Sequence, residues 1–155
     1  MIVYKDILSG DILFTDEHKP DKVNSSAYQI KCAEKTVYSD STDAEGEDRD
    51  IVWTGMNVIG YCGLVETGCS KKDMMQYFQE YFKTLKTKLG LTQEQTEQFD
   101  ADAEAFEKTI LRRYRHYQLF LGDSCDYEGT YVFLEHKEDE AFVTVFVHGV
   151  ERTEE

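Results

Sequence analysis

Acidic residues late in the chain have the types and spacing of a weak calcium site. With Gly129 at the sixth position of an EF-hand loop, Asp126 and Glu128 fall at its third and fifth positions. Glu135 then falls at the twelfth position, which supplies a bidentate carboxylate. The first position holds Ser124 where the pattern requires aspartate, so only weak binding is expected. The candidate calcium ligands are Asp123, Asp126, Glu128 and Glu135.

A second acidic segment, 39–50, has a different character. Between Asp40 and Asp50 there are six carboxylates and a single arginine. Because such a block repels itself and cannot be buried, it predicts a mobile acidic loop that attracts cations only diffusely.

No enzyme motif accompanies these acidic segments. The sequence lacks a phosphate-binding glycine loop, a nucleophile elbow and a zinc-protease helix. The four cysteines are far apart and form no C-x-x-C pair, which predicts free thiols and no zinc site. Pairing of Cys125 with His136 leaves a cysteine-dependent reductase or peroxidase as one alternative. The prediction is a protein that is not an enzyme and requires no cofactor.

The charge balance limits the possible partners. Seventeen Lys and Arg residues stand against 31 Asp and Glu, a net charge of −14. Nucleic acid and anionic membranes are disfavoured because both bind through protein cations. The 155 residues predict one domain, and the start of the chain shows no secretory signal pattern. We therefore expect a cytoplasmic, monomeric protein whose partners are other proteins.

The middle of the chain predicts an antiparallel pair of helices over 70–116. Ser70 is placed to cap the first helix, and Gly90 is placed to end it. Thr92 and Gln95 form the start of the second helix. The link is about three residues long, so the helices must be antiparallel. Apolar residues recur at three- and four-residue spacings: Met74, Phe78, Tyr81, Phe82, Leu85 and Leu89, then Phe99, Ala103, Phe106, Ile110 and Tyr114 or Tyr117.

Strand patterns surround the helices on both sides, which predicts an α+β fold. The region 28–38 resembles a β-hairpin, with strands at 28–32 and 36–38. The apolar run 51–65 predicts one or two buried strands. Further strands are expected at 2–4, 119–121, 131–135 and 142–147.

The predicted helical hairpin also carries the one cationic region of the sequence. An acidic protein with a single basic surface is suited to meet an acidic partner there. The residues concerned are Lys83, Lys86, Lys108, Arg112, Arg113 and Arg115.

Several motifs together resemble the translationally controlled tumour protein (TCTP) family over essentially the whole chain. The start of the chain, 1–16, is similar to the family N-terminus, and 54–58 is similar to the family strand after the acidic loop. Segment 77–89 resembles the first long family helix. The strongest match is Tyr-Gln-Leu-Phe-Leu-Gly-Asp at 117–123, followed by Glu-Gly at 128–129.

This resemblance implies a small β-tent core, similar to the Mss4 class of small-GTPase chaperones, with a protruding helical hairpin. It also implies a non-enzymatic adaptor that binds microtubules, translation elongation factor or a small GTPase, with links to growth and survival. Weak calcium binding belongs to the same expectation. A protein that acts primarily as a calcium buffer or sensor is the alternative.

The resemblance further implies where partners bind. A GTPase or elongation factor would meet the β-face, and tubulin would meet the basic hairpin. The chain departs from the family in having Ile12 where a second acidic residue is usual. The residues expected to face a GTPase are Asp11, Leu13, Gly122 and Asp123.

Overall fold

A six-stranded antiparallel sheet lies at the centre of the structure. A computed structural model describes residues 1–38 and 51–155, the side chains of 34–38 and 51–56 excepted. The predicted acidic loop 39–50 lies outside the described residues. The central sheet has the order β3-β4-β10-β9-β8-β7. Its strands are β3 (Asp21–Val23), β4 (Ala27–Cys32), β7 (Val65–Thr67), β8 (Tyr117–Leu121), β9 (Val132–Lys137) and β10 (Glu140–Phe146).

Two smaller sheets complete the β-structure of the described part of the chain. One has the order β11-β1-β2 and joins the two ends of the chain. The other is a pair of strands, β5 and β6, that flank the acidic segment in the sequence. Their bounds are β1 (Ile2–Asp6), β2 (Ile12–Thr15), β11 (Val150–Glu154), β5 (Glu34–Tyr38) and β6 (Ile51–Met56).

The predicted helical hairpin is confirmed as α2 (Lys71–Leu89) and α3 (Gln93–Arg112). The Ser70 hydroxyl accepts the Asp73 N–H at the start of α2, and Gly90 ends that helix with a left-handed φ of 60°. Thr92 and Gln95 form the expected capping box of α3. The second helix ends at Arg112 and a short 3₁₀ turn follows, so the hairpin ends slightly earlier than predicted.

The central sheet is covered on both faces. Leu119 and Phe133 lie in a core shared with both long helices. Phe120 and Val132, one position along each strand, lie in a second core shared with β1 and β2. Successive strand residues point to opposite faces, so the run 119–121 is buried throughout. No side chain within 86–98, at the tip of the hairpin, is buried.

Two local predictions are wrong. The strands near 28–38 exist but do not pair with each other, because β4 pairs with β3 and β10 while β5 pairs with β6. The apolar run 51–65 forms β6, then a short helix α1 (Asn57–Cys62), then the start of β7. Asn57 forms two hydrogen bonds with the backbone of Ala33. These bonds lie where the pairing of β5 with β6 ends and α1 begins. In an apolar run this short, periodicity does not distinguish a helix from a strand, so the sequence pattern could not predict α1.

No helix among the residues that the structure describes is long and apolar enough to cross a membrane.

Candidate protein-binding site

A buried carboxylate anchors the turn between β1 and β2. Asp6 is 2% exposed, and its Oδ1 accepts hydrogen bonds from the Leu8 N–H at 3.0 Å and the Thr130 hydroxyl at 2.8 Å. Its Oδ2 accepts the Ser9 hydroxyl at 2.7 Å and the Thr130 N–H at 2.9 Å. Burial of a carboxylate is tolerated when such donors replace water. Asp6 therefore fixes the β1–β2 turn (7–11) against the β8–β9 loop (122–131).

Asp11 makes a second connection between the same two segments. Its Oδ2 accepts the Ser124 hydroxyl at 2.6 Å and the Ser124 N–H at 3.3 Å. The Ser9 hydroxyl lies 3.0 Å from the same oxygen, and its single proton is shared with Asp6. A Cβ atom on Gly122 would lie only 2.4 Å from the Cβ of Asp11. Glycine at this position is therefore required for the turn and the loop to form one continuous surface.

Three of the four residues expected to face a GTPase come together here, in what we call the Asp11 surface: Asp11, Gly122 and Asp123. Of these, Asp11 is half-buried and Gly122 is buried against it, so Gly122 shapes the surface and is not itself exposed to a partner. Asp123 is exposed, and its Oδ1 lies 3.2 Å from where a Cβ on Gly63 would be, so the end of α1 borders the surface. Leu13 is 0% exposed and belongs to the core beneath β2. The prediction is corrected for Leu13, because β2 packs on the central sheet and directs this side chain inward.

The four predicted calcium ligands do not form one site. Glu135 is 4% exposed, forms an ion pair with Arg113, and lies 3.9 Å from the Lys137 ammonium. Asp126 accepts the Glu128 N–H at 2.9 Å and so closes its own turn. Among the described side chains of 1–33 and 57–155, no three of His, Cys, Asp or Glu are grouped so that they could hold a metal. The joint assignment of Asp123, Asp126, Glu128 and Glu135 is wrong, because β9 carries the last of them away from the loop.

The six basic residues of the hairpin divide into two groups. Lys86 forms an ion pair with Asp100 at 3.0 Å, and Arg113 pairs with the buried Glu135. Lys83 lies beside Lys86 in a groove between α2 and α3 that three carboxylates also line: Asp100, Glu104 and Glu107. The exposed residues that form no ion pair with any described partner are Lys83, Lys108, Arg112 and Arg115, and of these only Lys83 lines the acidic groove. The cationic surface is therefore centred on the C-terminal end of α3.

Comparison with known proteins identifies the family. The family model described as "Translationally controlled tumour protein" matches residues 1–151. The chain belongs to the TCTP family. The TCTP homologue of Alternaria alternata is 31% identical over 165 residues, with 97% of this chain and 98% of the relative covered. The homologue of Saccharomyces cerevisiae is 32% identical over 162 residues, with 97% of each covered.

Solved TCTP structures have the same fold. The Translationally Controlled Tumor-associated Protein p23fyp of Schizosaccharomyces pombe superimposes with a TM-score of 0.83 at 26% identity, and both chains are covered completely. The TCTP of Caenorhabditis elegans superimposes with a TM-score of 0.65 over 99% of this chain and 98% of its own. At 16% identity, the second comparison bears on the fold alone. The predicted α+β class and family are both confirmed.

Sequence reasoning missed the buried polar residues that hold the site of this TCTP-family chain together. Thr130 binds Asp6 and also lies 2.8 Å from the hydroxyl of Tyr81 on α2. The Tyr77 hydroxyl donates to the Gly129 carbonyl at 2.6 Å. The only hint in the sequence is an aspartate at the end of strand β1, two residues after its apolar part, Ile2-Val3-Tyr4. Its partner is 124 residues away in the chain, so local patterns could not reveal the contact.

A second buried carboxylate, Asp102, ties α3 to the sheet. It accepts hydrogen bonds from the Ser25 hydroxyl at 2.8 Å, the Gln98 amide at 3.0 Å and the His148 ring at 2.7 Å. Burial alone would raise the pKa of Asp102, but these hydrogen bonds outweigh it and hold the pKa below the usual value. The serine and histidine both bind the aspartate, so the serine is not activated as it is in a catalytic triad.

Two of the four cysteines, Cys32 and Cys62, do not have the environment of redox nucleophiles. Burial raises the pKa of Cys32 and of Cys62 to about 11, the opposite of the shift that activates a thiol. The ring of His136 lies 3.3 Å from the side chain of Gln118 on β8. Strand β9 thus directs His136 toward a neighbouring strand, and the described contacts do not pair it with Cys125.

Proposed function

We propose that this chain is a non-enzymatic, monomeric adaptor of the cytoplasm that binds a small GTPase or a translation elongation factor through the Asp11 surface. A role in growth and survival is part of this proposal. Membership of the TCTP family supports it, and so does the construction of the surface.

The observation that carries the proposal is the contact of Asp11 with Ser124 across Gly122. It joins two segments that are 113 residues apart into one surface. Two buried hydrogen bonds to Asp6 support the same junction from beneath. Surfaces that are ordered before binding lose less conformational entropy when the partner docks. The exposed carboxylate of Asp123 adds a charge that can steer a basic partner surface into place.

Charge reversal at Asp123 tests the proposal. We expect Asp123→Lys to weaken binding of the purified elongation factor or small GTPase of the same organism at least tenfold, mainly through a slower association rate. The matched control is Asp139→Lys, in the exposed turn between β9 and β10. Surface plasmon resonance at two salt concentrations measures both effects. Equal binding by the two variants and by the wild type to both partners would remove this surface from the proposal.

Tubulin is a separate proposed partner, bound at the C-terminal end of α3. Exposed Arg112 and Arg115 support this assignment, because they form no ion pair with a described residue and are free to meet carboxylates. Arg112→Glu with Arg115→Glu should reduce co-sedimentation with microtubules, and Lys19→Glu with Lys22→Glu is the charge-matched control. Equal co-sedimentation of both double variants would mean that the hairpin is not the binding site.

Weak calcium binding, and the alternative of a calcium buffer or sensor, stay predictions. Sensors bind calcium at about 10⁻⁷–10⁻⁵ M, whereas a poorly formed carboxylate site binds at about 10⁻⁴–10⁻³ M. Calorimetry in about 1 mM magnesium, a competing hard cation, distinguishes the two. A saturable micromolar signal that survives Asp126→Ala with Glu128→Ala would place the ligands elsewhere in the chain.

A further inference from the structure

A groove runs along α2 beside the β8–β9 loop. Its volume is about 450 Å³. Four α2 residues with helical spacing form one wall of the groove: Asp73, Tyr77, Glu80 and Thr84. Tyr127 and Glu128 of the β8–β9 loop form the opposite wall. Gln76 and Tyr81 complete the lining. The groove shares a loop with the Asp11 surface but no residue with it.

Both walls of the groove are held in place by the tyrosines of α2. The Tyr77 hydroxyl donates to the Gly129 carbonyl, and the Tyr81 hydroxyl bonds to Thr130. The two tyrosine rings stack with centroids 5.0 Å apart. Burial raises the pKa of both hydroxyls, so they stay protonated and retain these bonds. The loop wall is therefore attached to the helix wall before any ligand binds.

Tyr127 is the exception among these aromatic residues. It is 61% exposed, the most exposed of the large hydrophobic residues described. A hydrogen-bonded turn contains Tyr127, because the Asp126 side chain accepts the Glu128 N–H and the Asp126 carbonyl accepts the Gly129 N–H. An aromatic ring held in water by an ordered loop is a contact surface that no described residue covers.

The charge of the groove defines what fits there. Three carboxylates and no lysine or arginine line it, and none of the three carboxylates forms an ion pair with a described residue: Asp73, Glu80 and Glu128. The described residues do not group carboxylates for a metal ion. A planar guanidinium is suited to this arrangement, because it pairs with carboxylates and also stacks on aromatic rings.

We infer that this groove binds an arginine-containing basic segment of a protein partner, with the guanidinium group stacked on Tyr127 and paired with Glu80 and Glu128. The net charge of −14 favours the approach of such a segment. The residues that line the groove differ from those of the Asp11 surface. Either proposal can therefore fail without the other.

The test uses a fluorescent peptide of alternating glycine and arginine with three arginines, and the same peptide with citrulline at each arginine. Fluorescence anisotropy at physiological salt measures binding to the full chain. Tyr127→Ala should weaken binding about three- to fivefold, the range of an exposed cation–π contact, while Tyr127→Phe should retain it. Glu80→Gln with Glu128→Gln should weaken it about three- to tenfold, as expected for two exposed ion pairs.

The matched control is Glu94→Gln with Glu97→Gln, the same charge change on an acidic surface of α3 whose lining contains no aromatic residue. We expect this control to change the affinity less than twofold, and the citrulline peptide not to bind. An equal loss in the control would show that binding is diffuse attraction to an acidic protein and would overturn the proposal. Equal affinity for spermine, or no effect of Tyr127→Ala, would also overturn it.

Discussion

Replacing Gly122 with alanine should separate the β1–β2 turn from the β8–β9 loop. The added Cβ would lie 2.4 Å from the Cβ and from Oδ2 of Asp11, whereas ordinary contacts of this kind begin at 3.4 Å. The two segments must therefore move apart by about 1 Å, since tightly packed backbone cannot absorb the overlap otherwise. Such a shift would stretch the 2.6 Å hydrogen bond between Ser124 and Asp11 beyond hydrogen-bonding range.

The expected loss of stability follows from these two effects. Overpacking of this kind costs about 1–3 kcal/mol. Losing the two hydrogen bonds from Ser124 to the partly exposed carboxylate adds about 1 kcal/mol. We expect the free energy of unfolding to fall by about 2–4 kcal/mol, which lowers the melting temperature by about 5–15 °C for a chain of this size.

Urea unfolding followed by circular dichroism measures this loss. The matched control is Gly68→Ala, because a Cβ at that position meets no atom within 4 Å and the backbone there has no left-handed φ. The control should change the free energy of unfolding by no more than about 0.5 kcal/mol. If Gly122→Ala is as stable as Gly68→Ala, the close approach of Asp11 is wrong, and the continuous Asp11 surface is wrong with it.

Three further predictions concern buried ionisable groups. Arg113→Ala should lower the free energy of unfolding by about 1–3 kcal/mol, because it leaves the buried carboxylate of Glu135 without its closest cation. Asp102→Asn should flatten the loss of stability between about pH 5 and 3, the range around the ordinary pKa of an aspartate. Urea unfolding at a series of pH values measures this. The lowered pKa means that the carboxylate stabilises the fold above about pH 4, and that this contribution disappears as the pH falls. In a thiol titration at pH 8, Cys32 and Cys62 should react at least about tenfold more slowly than free cysteine, because few thiolates form when the pKa is about 11.

Each of these measurements has a matched control. Arg112→Ala removes an exposed charge next to Arg113 and should leave stability nearly unchanged; an equal loss would contradict the ion pair. Asp100→Asn removes an exposed carboxylate of the same helix. If Asp100→Asn flattens the loss of stability at acidic pH as much as Asp102→Asn does, the pKa argument is wrong. For the thiol titration the control is Cys62→Ser, which should lack a slowly reacting thiol. If it lacks a fast-reacting thiol instead, the thiol prediction is contradicted.

The helical hairpin illustrates how far sequence reasoning reaches in this fold. Caps at Ser70, Gly90 and Thr92, together with the apolar spacing, predicted both helices and their antiparallel arrangement, because these signals act within a few residues. The strand near 28–32 was also predicted, but its partners were not. Pairing depends on contacts with β10, which lies more than a hundred residues later in the chain.

The sites follow the same division. Family motifs grouped Asp11, Gly122 and Asp123, and the structure brings these three residues together, while their role toward a GTPase stays a prediction. The calcium assignment of Glu135 was wrong. A spacing template assumes that the chain curls back on itself, but β9 extends this residue into the sheet beside a cation. Leu13 was misplaced for a related reason, since exposure depends on which face of β2 the other strands cover.

The amino-acid sequence alone determined the acidic character, the family, the α+β class and the two long helices of this protein. These properties depend on composition, on motifs or on interactions between residues close in the chain. Only the tertiary structure decided that Asp6 and Asp11 bind the β8–β9 loop, that Glu135 is paired, and that Tyr127 borders an acidic groove. Each of these contacts joins segments distant in the sequence. They form only when the sheets and the hairpin pack together.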